Sequence, residues 1–148
     1  MTAPKVPDPL ADSAPFGKMP AAHPRPATEA QLMAGLLDAV GALGGRAYHT
    51  YDARGSDKGY PDVTAAFPDG RVLFLEIKGP KGVVSPAQVA WLECLGGSRA
   101  WIVWPTEEHA RSGRRRWPTV PHMPYEQTLE ELADPLNYNP YASKETTP

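Results

Sequence analysis

The sequence has few of the features that mark disulfide-rich, zinc-finger or membrane proteins. Cys94 is the single cysteine among 148 residues, so neither an internal disulfide nor a cysteine-based zinc site is available. Its place on the apolar face of a predicted helix indicates a buried, inert thiol. No apolar run approaches the ~20 residues of a membrane helix, and no signal-peptide pattern is present. We therefore expect a soluble, cytoplasmic, single-domain protein with no membrane partner.

Charge is nearly balanced overall but unevenly distributed. The formal net charge is −2, whereas residues 44–116 hold 11 Lys and Arg against 8 Asp and Glu. A basic centre in a mildly acidic chain is compatible with a polyanionic partner such as nucleic acid.

Proline positions divide the chain into three parts. Seven of the 18 prolines lie in residues 1–26, and seven more lie from Pro105 onward. Proline-rich stretches without apolar periodicity are typical of flexible segments. The sequence thus predicts an N-terminal arm over residues 1–27, a folded core over 28–105, and a basic loop with a proline-rich tail over 106–148. A short helix is predicted within that tail, at Tyr125–Ala133.

Secondary-structure signals in the core alternate along the chain. Capping boxes at 28–31 and 85–88 each begin a helix, and residues 100–104 form a fully apolar strand. Three further runs have strand composition, at residues 46–52, 62–67 and 71–78. The turn at 68–70 joins the last two as a hairpin. The sequence predicts an α/β fold in the order helix, three strands, helix, strand. Its sheet is mixed, because hairpins pair antiparallel and helical crossovers usually pair parallel.

The strand at 71–78 ends in two charged residues. Strand alternation places Glu76 and Lys78 on one face and Ile77 on the other. Pairing across the hairpin would bring Asp62 near Glu76, and two converging carboxylates suit a hard cation such as Mg²⁺. Lys78 beside such a cation would orient or deprotonate water. The structural alternatives are a solvated Glu76–Lys78 ion pair and a turn residue at Asp62.

Three motifs in this order resemble a known family. They are G-Y-P-D at 59–62, E-I-K at 76–78 and S-P-A-Q at 85–88. Together they resemble the VRR-Nuc branch of the PD-(D/E)XK nuclease superfamily, in particular short stand-alone members found in phages. The similarity covers roughly residues 28–105. It implies a restriction-endonuclease-like core with a mixed central sheet, a Mg²⁺ or Mn²⁺ cofactor, and hydrolysis of phosphodiester bonds in DNA.

The resemblance also implies roles for particular residues. Asp62 and Glu76 would bind the metal together with the main-chain carbonyl of Ile77, and Lys78 would be the catalytic lysine. Gln88 matches a glutamine that supports the site in this family.

Glu29 matches the family's N-terminal acidic residue, which can help to bind a metal. Both Glu29 and Gln88 also have structural explanations. Glu29 is an acid in a first helical turn, where the helix dipole favours it, and Gln88 is the third residue of a capping box.

Basic residues around the predicted site are expected to contact DNA phosphates. They are Arg54, Lys58, Lys81, Arg111, Arg114, Arg115 and Arg116. Trp117 follows the arginine tract, where its ring would stack on a base. A solvated basic loop is the alternative interpretation of that tract.

The sequence therefore predicts a divalent-metal-dependent DNA nuclease, and more narrowly a structure-selective endonuclease acting on junction or branched DNA. Two alternatives remain open: a catalytically silent nucleic-acid-binding module with the same fold, and a structural or interaction protein of the same class. A homodimer is expected by resemblance, because two active sites would cut two strands. A metal titration separates these readings, since neither alternative needs a divalent ion.

Overall fold

A computed structural model describes residues 26–50 and 57–134. Most of the predicted N-terminal arm, the end of the predicted tail, and Arg54 lie outside these ranges. The helices are α1 (Glu29–Ala42), α2 (Pro86–Leu95), α3 (Glu107–Arg116) and α4 (Tyr125–Ala133). The strands are β1 (Arg46–His49), β2 (Val63–Ala66), β3 (Val72–Ile77), β4 (Ala100–Trp104) and β5 (His122–Pro124). Within the described ranges, no helix is both long and apolar enough to cross a membrane.

The strands form one mixed sheet in the order β1-β2-β3-β4-β5. The neighbours β1–β2 and β2–β3 pair antiparallel, whereas β3–β4 and β4–β5 pair parallel. The predicted α/β class and mixed sheet are confirmed. The turn after Phe67 produces the antiparallel hairpin, and the α2 crossover produces the parallel pair.

Both predicted capping boxes are present. The Thr28 hydroxyl accepts a hydrogen bond from the Gln31 main-chain nitrogen at 3.1 Å, and the Gln31 side chain accepts one from the Thr28 nitrogen at 3.2 Å. Ser85 and Gln88 form the same reciprocal pair at the start of α2. The two boxes satisfy main-chain N–H groups that have no partner inside the helix, and they fix where α1 and α2 begin.

Helices cover both faces of the sheet. On one face, α1 and α4 pack against the strands, with Leu36 and Leu132 fully buried. On the other face, α2 and α3 contribute Leu92 and Ala110. Strand β4 serves both layers, because Trp101 faces the first cluster and Ile102 the second. A strand buried on both faces explains its continuous apolar sequence.

The prediction of a basic loop after residue 105 is wrong. Residues 107–116 form helix α3, capped by Thr106, whose hydroxyl accepts from the His109 nitrogen at 3.3 Å. The helix has acidic residues in its first turn and arginines in its last turn, and charges in this order interact favourably with the helix dipole. It escaped prediction because only Ala110 and Gly113 of its residues are buried, so it has no apolar stripe. The helix predicted at Tyr125–Ala133 is confirmed.

Cys94 also differs from its prediction. The thiol is exposed, because α2 buries only Val89 and Leu92 against the sheet. An apolar position at helical spacing therefore did not indicate burial on this short helix.

His122 joins β5 to its neighbours as a neutral imidazole. The residue is 2% exposed. Its Nδ1 accepts from Trp104 Nε1 at 3.0 Å, and its Nε2 lies 2.9 Å from the Trp117 carbonyl oxygen. Because an indole nitrogen only donates, Nδ1 carries no proton and Nε2 donates to the carbonyl. Burial, together with the nearby Arg114 guanidinium, lowers the pKa of His122 below its usual value.

We expect this histidine to make stability fall in mild acid. Its folded pKa lies below the unfolded value of about 6.5, so the stability it contributes is present above pH 6.5 and is lost below it. His122→Asn should lower the free energy of unfolding by ~1–3 kcal/mol at pH 7.5 and remove this loss. Urea unfolding at pH 7.5 and 5.5 measures both effects. An equal pH dependence in wild type and variant would contradict the prediction.

Candidate active site

The hairpin brings the two predicted acidic residues together. Strand register pairs Val63 with Leu75, and one further step along both strands places Asp62 opposite Glu76. The Asp62 Oδ2 accepts a hydrogen bond from the Ile77 main-chain nitrogen at 2.8 Å, which fixes its carboxylate against β3. The strand register and this contact with β3 confirm that Asp62 lies next to Glu76.

Glu76 is a buried carboxyl group whose two oxygens lie in different environments. The residue is 3% exposed. Its Oε2 accepts from Gln88 Nε2 at 2.9 Å and lies 3.4 Å from Lys78 Nζ. Its Oε1 is buried and has no hydrogen-bond partner among the described residues. Burial and the Asp62 carboxylate raise the pKa of Glu76 to about 9, and the opposing effect of Lys78 is too small to restore it.

These groups fit a divalent cation. A buried oxygen without a partner is costly, and a second carboxylate beside it adds repulsion that a cation would relieve. No cluster of three or more His, Cys, Asp or Glu side chains exists within residues 26–50 and 57–134. Mg²⁺ commonly binds through only one or two carboxylates and retains several waters, so Asp62 and Glu76 suffice as its acidic ligands.

Lys78 is buried rather than solvated. The residue is 8% exposed, and its Nζ donates to the Val83 carbonyl oxygen at 2.8 Å. The loop can approach this closely because residue 82 is glycine. A Cβ there would lie 3.0 Å from both Cβ and Cδ of Lys78. The interpretation of Glu76 and Lys78 as a surface ion pair is wrong, because both residues are buried.

Gln88 contacts both the start of its own helix and the Glu76 carboxyl group. Its side-chain oxygen accepts from the Ser85 nitrogen at 2.9 Å, completing the capping box, while its Nε2 donates to Glu76. Gly59 brings the loop before Asp62 against this helical turn. It has a φ of 87°, and a Cβ there would overlap the Ala87 main chain and lie 2.7 Å from the Gln88 nitrogen. Glycine is therefore required at residue 59.

Glu29 lies at the edge of the site. It is the first residue of α1 and is exposed. Its main-chain nitrogen would lie 3.3 Å from a Cβ placed on Gly79, so the beginning of α1 sits against the end of β3. Glu29 and Lys81 line the same shallow depression beside this junction. Their predicted roles in metal and DNA binding stay predictions.

The predicted DNA-contacting residues occupy different settings. Arg111, Arg115 and Arg116 are exposed on α3, and Lys58 is exposed in the turn before Asp62. Arg114 is instead engaged within the fold: it pairs with Glu107 through both guanidinium NH groups, the shorter contact being 2.6 Å, and donates to the His122 carbonyl oxygen.

One contact in the site is not predicted by the sequence. The Val83 carbonyl, which holds Lys78, carries no side-chain signal. The G-P-K-G run at 79–82 is the available hint, because its glycines and proline indicate a tight turn after β3.

The fold and the site together indicate the class of this protein. The mixed α/β core is compatible with a restriction-endonuclease-like fold, and it presents an acidic pair and a lysine at the ends of its hairpin strands. The VRR-NUC domain family matches residues 22–102, more than half of the chain. The chain therefore belongs to the VRR-NUC family of the PD-(D/E)XK nuclease superfamily. Neither the curated proteins nor the solved structures gave a match.

Membership has two general implications. The family is one of nuclease domains, for which DNA is the substrate. PD-(D/E)XK nuclease domains generally use divalent metals.

The buried carboxyl group of Glu76 should destabilise the metal-free protein at alkaline pH. Its folded pKa exceeds the unfolded value of 4.5, so the free energy of unfolding falls as pH rises from about 4.5 towards 9. Glu76→Gln removes the titrating group and with it this loss of stability, keeps an acceptor for Gln88 and adds a donor facing Asp62. We expect it to raise the stability in EDTA at pH 8 by ~1–3 kcal/mol, measured by urea unfolding.

An exposed glutamate provides the control for this prediction. Glu130 is exposed on α4, so Glu130→Gln should change stability by less than ~0.5 kcal/mol. If Glu76→Gln destabilises the metal-free protein, the carboxylate repulsion inferred at the site is incorrect.

Proposed function

We propose that this protein is a divalent-metal-dependent DNA nuclease, and specifically a structure-selective endonuclease acting on junction or branched DNA. The observation that carries the proposal is the buried Glu76 carboxyl group, whose Oε1 has no hydrogen-bond partner within residues 26–50 and 57–134 and lies next to a second carboxylate. A carboxyl group in this state is disfavoured as a structural feature and favourable as a cation ligand. The family to which the chain belongs supplies the reaction class.

The metal ligands would be Asp62, Glu76 and the Ile77 carbonyl, with Glu29 as an additional ligand at the edge. When bound there, Mg²⁺ or Mn²⁺ would supply positive charge to the phosphate and lower the pKa of water. Gln88 would act as a positioning residue. By holding Oε2 of Glu76, it would leave Oε1 available to the cation.

Lys78 would act on the attacking water and on the phosphate charge. The Val83 carbonyl holds its Nζ near Glu76, so the amine group is fixed rather than mobile. In this position Nζ would take a proton from the attacking water. The new bond forms between the water oxygen and phosphorus. The bond to the 3′ oxygen breaks, leaving a 5′-phosphate and, after protonation, a 3′-hydroxyl.

DNA would be held through phosphate contacts along the basic residues of the loops and of α3. Exposed Lys58, Lys81, Arg111, Arg115 and Arg116 are the candidates, and binding through them should weaken as salt rises. Arg54 belongs to the same proposed set, and Arg114 would contribute its charge while remaining paired with Glu107. A homodimer would place two such sites on one substrate.

Cleavage of a panel of DNA structures tests this function. The panel contains single strands, linear duplex, nicked duplex, a flap and a four-way junction, each with Mg²⁺, Mn²⁺, Ca²⁺ or EDTA. We expect cleavage with Mg²⁺ or Mn²⁺, none with EDTA, and faster cleavage of the flap and junction than of linear duplex. Binding without cleavage under every condition would favour a catalytically silent DNA-binding module instead. Sedimentation or light scattering reports whether the protein is a dimer.

A further inference from the structure

A cavity lies between α3 and the loop that follows β3. It has a volume of about 240 Å³. One wall is a single face of α3 bearing His109, Ser112 and Arg116, which recur at intervals of three and four residues. The opposite wall is the 80–84 loop, including Val83, and Trp104 lines it from β4. We call this cavity the α3 pocket.

The lining combines apolar surface with a few polar groups. Trp117 contributes a half-buried indole at the end of α3, and Val83 is 74% exposed on the other side. Ser112 and Arg116 are exposed at the same pocket. Pockets for drug-sized ligands usually occupy roughly 300–1,000 Å³, so this cavity suits a single flat ring system. Aromatic and apolar walls that surround such a ring beside an arginine are typical of sites for nucleobases with their phosphates.

The α3 pocket and the proposed site share the loop that follows β3. Its Val83 wall is the residue whose carbonyl oxygen accepts from Lys78 Nζ at 2.8 Å. A ring inserted against this loop therefore contacts the same segment that fixes the lysine. If a phosphate of the substrate binds at Lys78, a neighbouring nucleotide would be the one to enter the pocket.

We propose that the α3 pocket takes one nucleobase of the DNA substrate, which has left the base stack and packs against Trp117 while Arg116 contacts its phosphate. This inference rests on the proposed nuclease function and adds a substrate class to it. Extracting a base from a paired duplex costs several kcal/mol, and least when the base is already unpaired. DNA with an unpaired nucleotide beside the cleaved bond is the substrate that this pocket selects.

Base insertion is measured by binding, independently of cleavage. The probe is a flap DNA with 2-aminopurine as the unpaired base, titrated with the full chain in EDTA. Stacking on Trp117 should quench the probe fluorescence. Ser112→Phe fills the pocket from an exposed helix position, and we expect it to abolish quenching and weaken binding about ten-fold. Trp117→Ala should do the same, and Trp117→Phe should restore most of the affinity by retaining a ring.

Arg115 provides a matched control for Arg116. Both arginines are exposed on α3, but only Arg116 lines the pocket. Arg116→Ala should therefore weaken binding of the flap about ten-fold, whereas Arg115→Ala removes the same charge and should weaken it only two- to three-fold. Thermal melts of each variant confirm that the fold is retained.

The outcomes separate this inference from the nuclease proposal. Equal effects of the two arginine variants, with unchanged quenching in Ser112→Phe, would overturn the base pocket even if the wild type cuts DNA. Pocket-dependent quenching together with no cleavage in Mg²⁺ or Mn²⁺ would support the pocket and contradict the nuclease function. Where cleavage occurs, replacing the unpaired base by an abasic unit should slow it about ten-fold in wild type and little in Ser112→Phe.

Discussion

Asp62→Asn and Glu76→Gln are each expected to abolish DNA cleavage while the protein stays folded. Each variant removes one of the two carboxylates that face each other across the hairpin. With one acidic ligand left, the affinity for Mn²⁺ should fall at least ten-fold, because a hard cation depends on charged oxygen ligands. We expect the single-turnover cleavage rate to fall by ~10³-fold or more. Calorimetry with Mn²⁺ and a single-turnover assay measure the two losses.

Amide replacements are preferable to alanine at these positions. Asp62→Ala would abolish cleavage too, but it also leaves the Ile77 nitrogen without its 2.8 Å acceptor, at a cost of about 1–3 kcal/mol. Asn keeps a side-chain oxygen at this point. Asp57→Asn is the control, because Asp57 is an exposed acid in the loop leading to Asp62. If Asp62→Asn and Glu76→Gln cut DNA as fast as Asp57→Asn, the assigned site is wrong.

The acidic pair was predictable because local chemistry determines it. The turn between β2 and β3 fixes a register in which Val63 pairs with Leu75, and that register leaves Asp62 and Glu76 opposite one another. A hairpin of this kind depends on residues that are close in sequence, so its geometry can be read from the turn and from strand alternation. The capping boxes of α1 and α2 were predictable for the same reason.

The environment of the pair was not predictable, because it depends on distant segments. Glu76 is buried with Gln88 bound to one oxygen, and Lys78 is bound by the carbonyl of Val83. Neither contact follows from an E-I-K motif, which by itself describes a solvated strand end equally well. Only the packing of α2 and of the loop after β3 decides that these charges are buried.

Helix α3 is a second feature that could not be predicted from the sequence. Its residues have the composition of a solvated loop, and its buried face consists of Ala110 and Gly113. Gly113 is required where it lies, because a Cβ would approach within 2.5 Å of His122 Nδ1. Small residues that permit close helix packing carry little hydrophobic signal. The wall of the α3 pocket therefore became visible only in the structure.

Lys78→Met should leave metal binding nearly unchanged and lower the cleavage rate by ~10²- to 10⁴-fold, the scale of a lost general base. Methionine keeps the length and bulk of the buried aliphatic part of the lysine side chain. The loop containing Gly82 should therefore remain packed against residue 78. Two effects on metal affinity oppose each other. Loss of the ammonium group lets the pKa of Glu76 rise further, which favours its protonated form, but it also removes a positive charge that repels the cation. Mn²⁺ affinity should consequently change by only a few-fold.

Lys81→Met separates catalysis from electrostatic binding at the same loop. Lys81 is exposed three residues after Lys78, so its replacement removes the same charge without touching Glu76. We expect it to weaken DNA binding modestly, and more at low salt than at high salt. The cleavage rate at saturating protein should stay within about three-fold of wild type.

Single-turnover rates at saturation therefore distinguish the two lysines, since affinity no longer limits them. A Lys78→Met rate equal to that of Lys81→Met would mean that the buried amine only anchors the loop through Val83. A rate lower by two orders of magnitude, with Mn²⁺ affinity retained, would assign Nζ a direct part in the cleavage step.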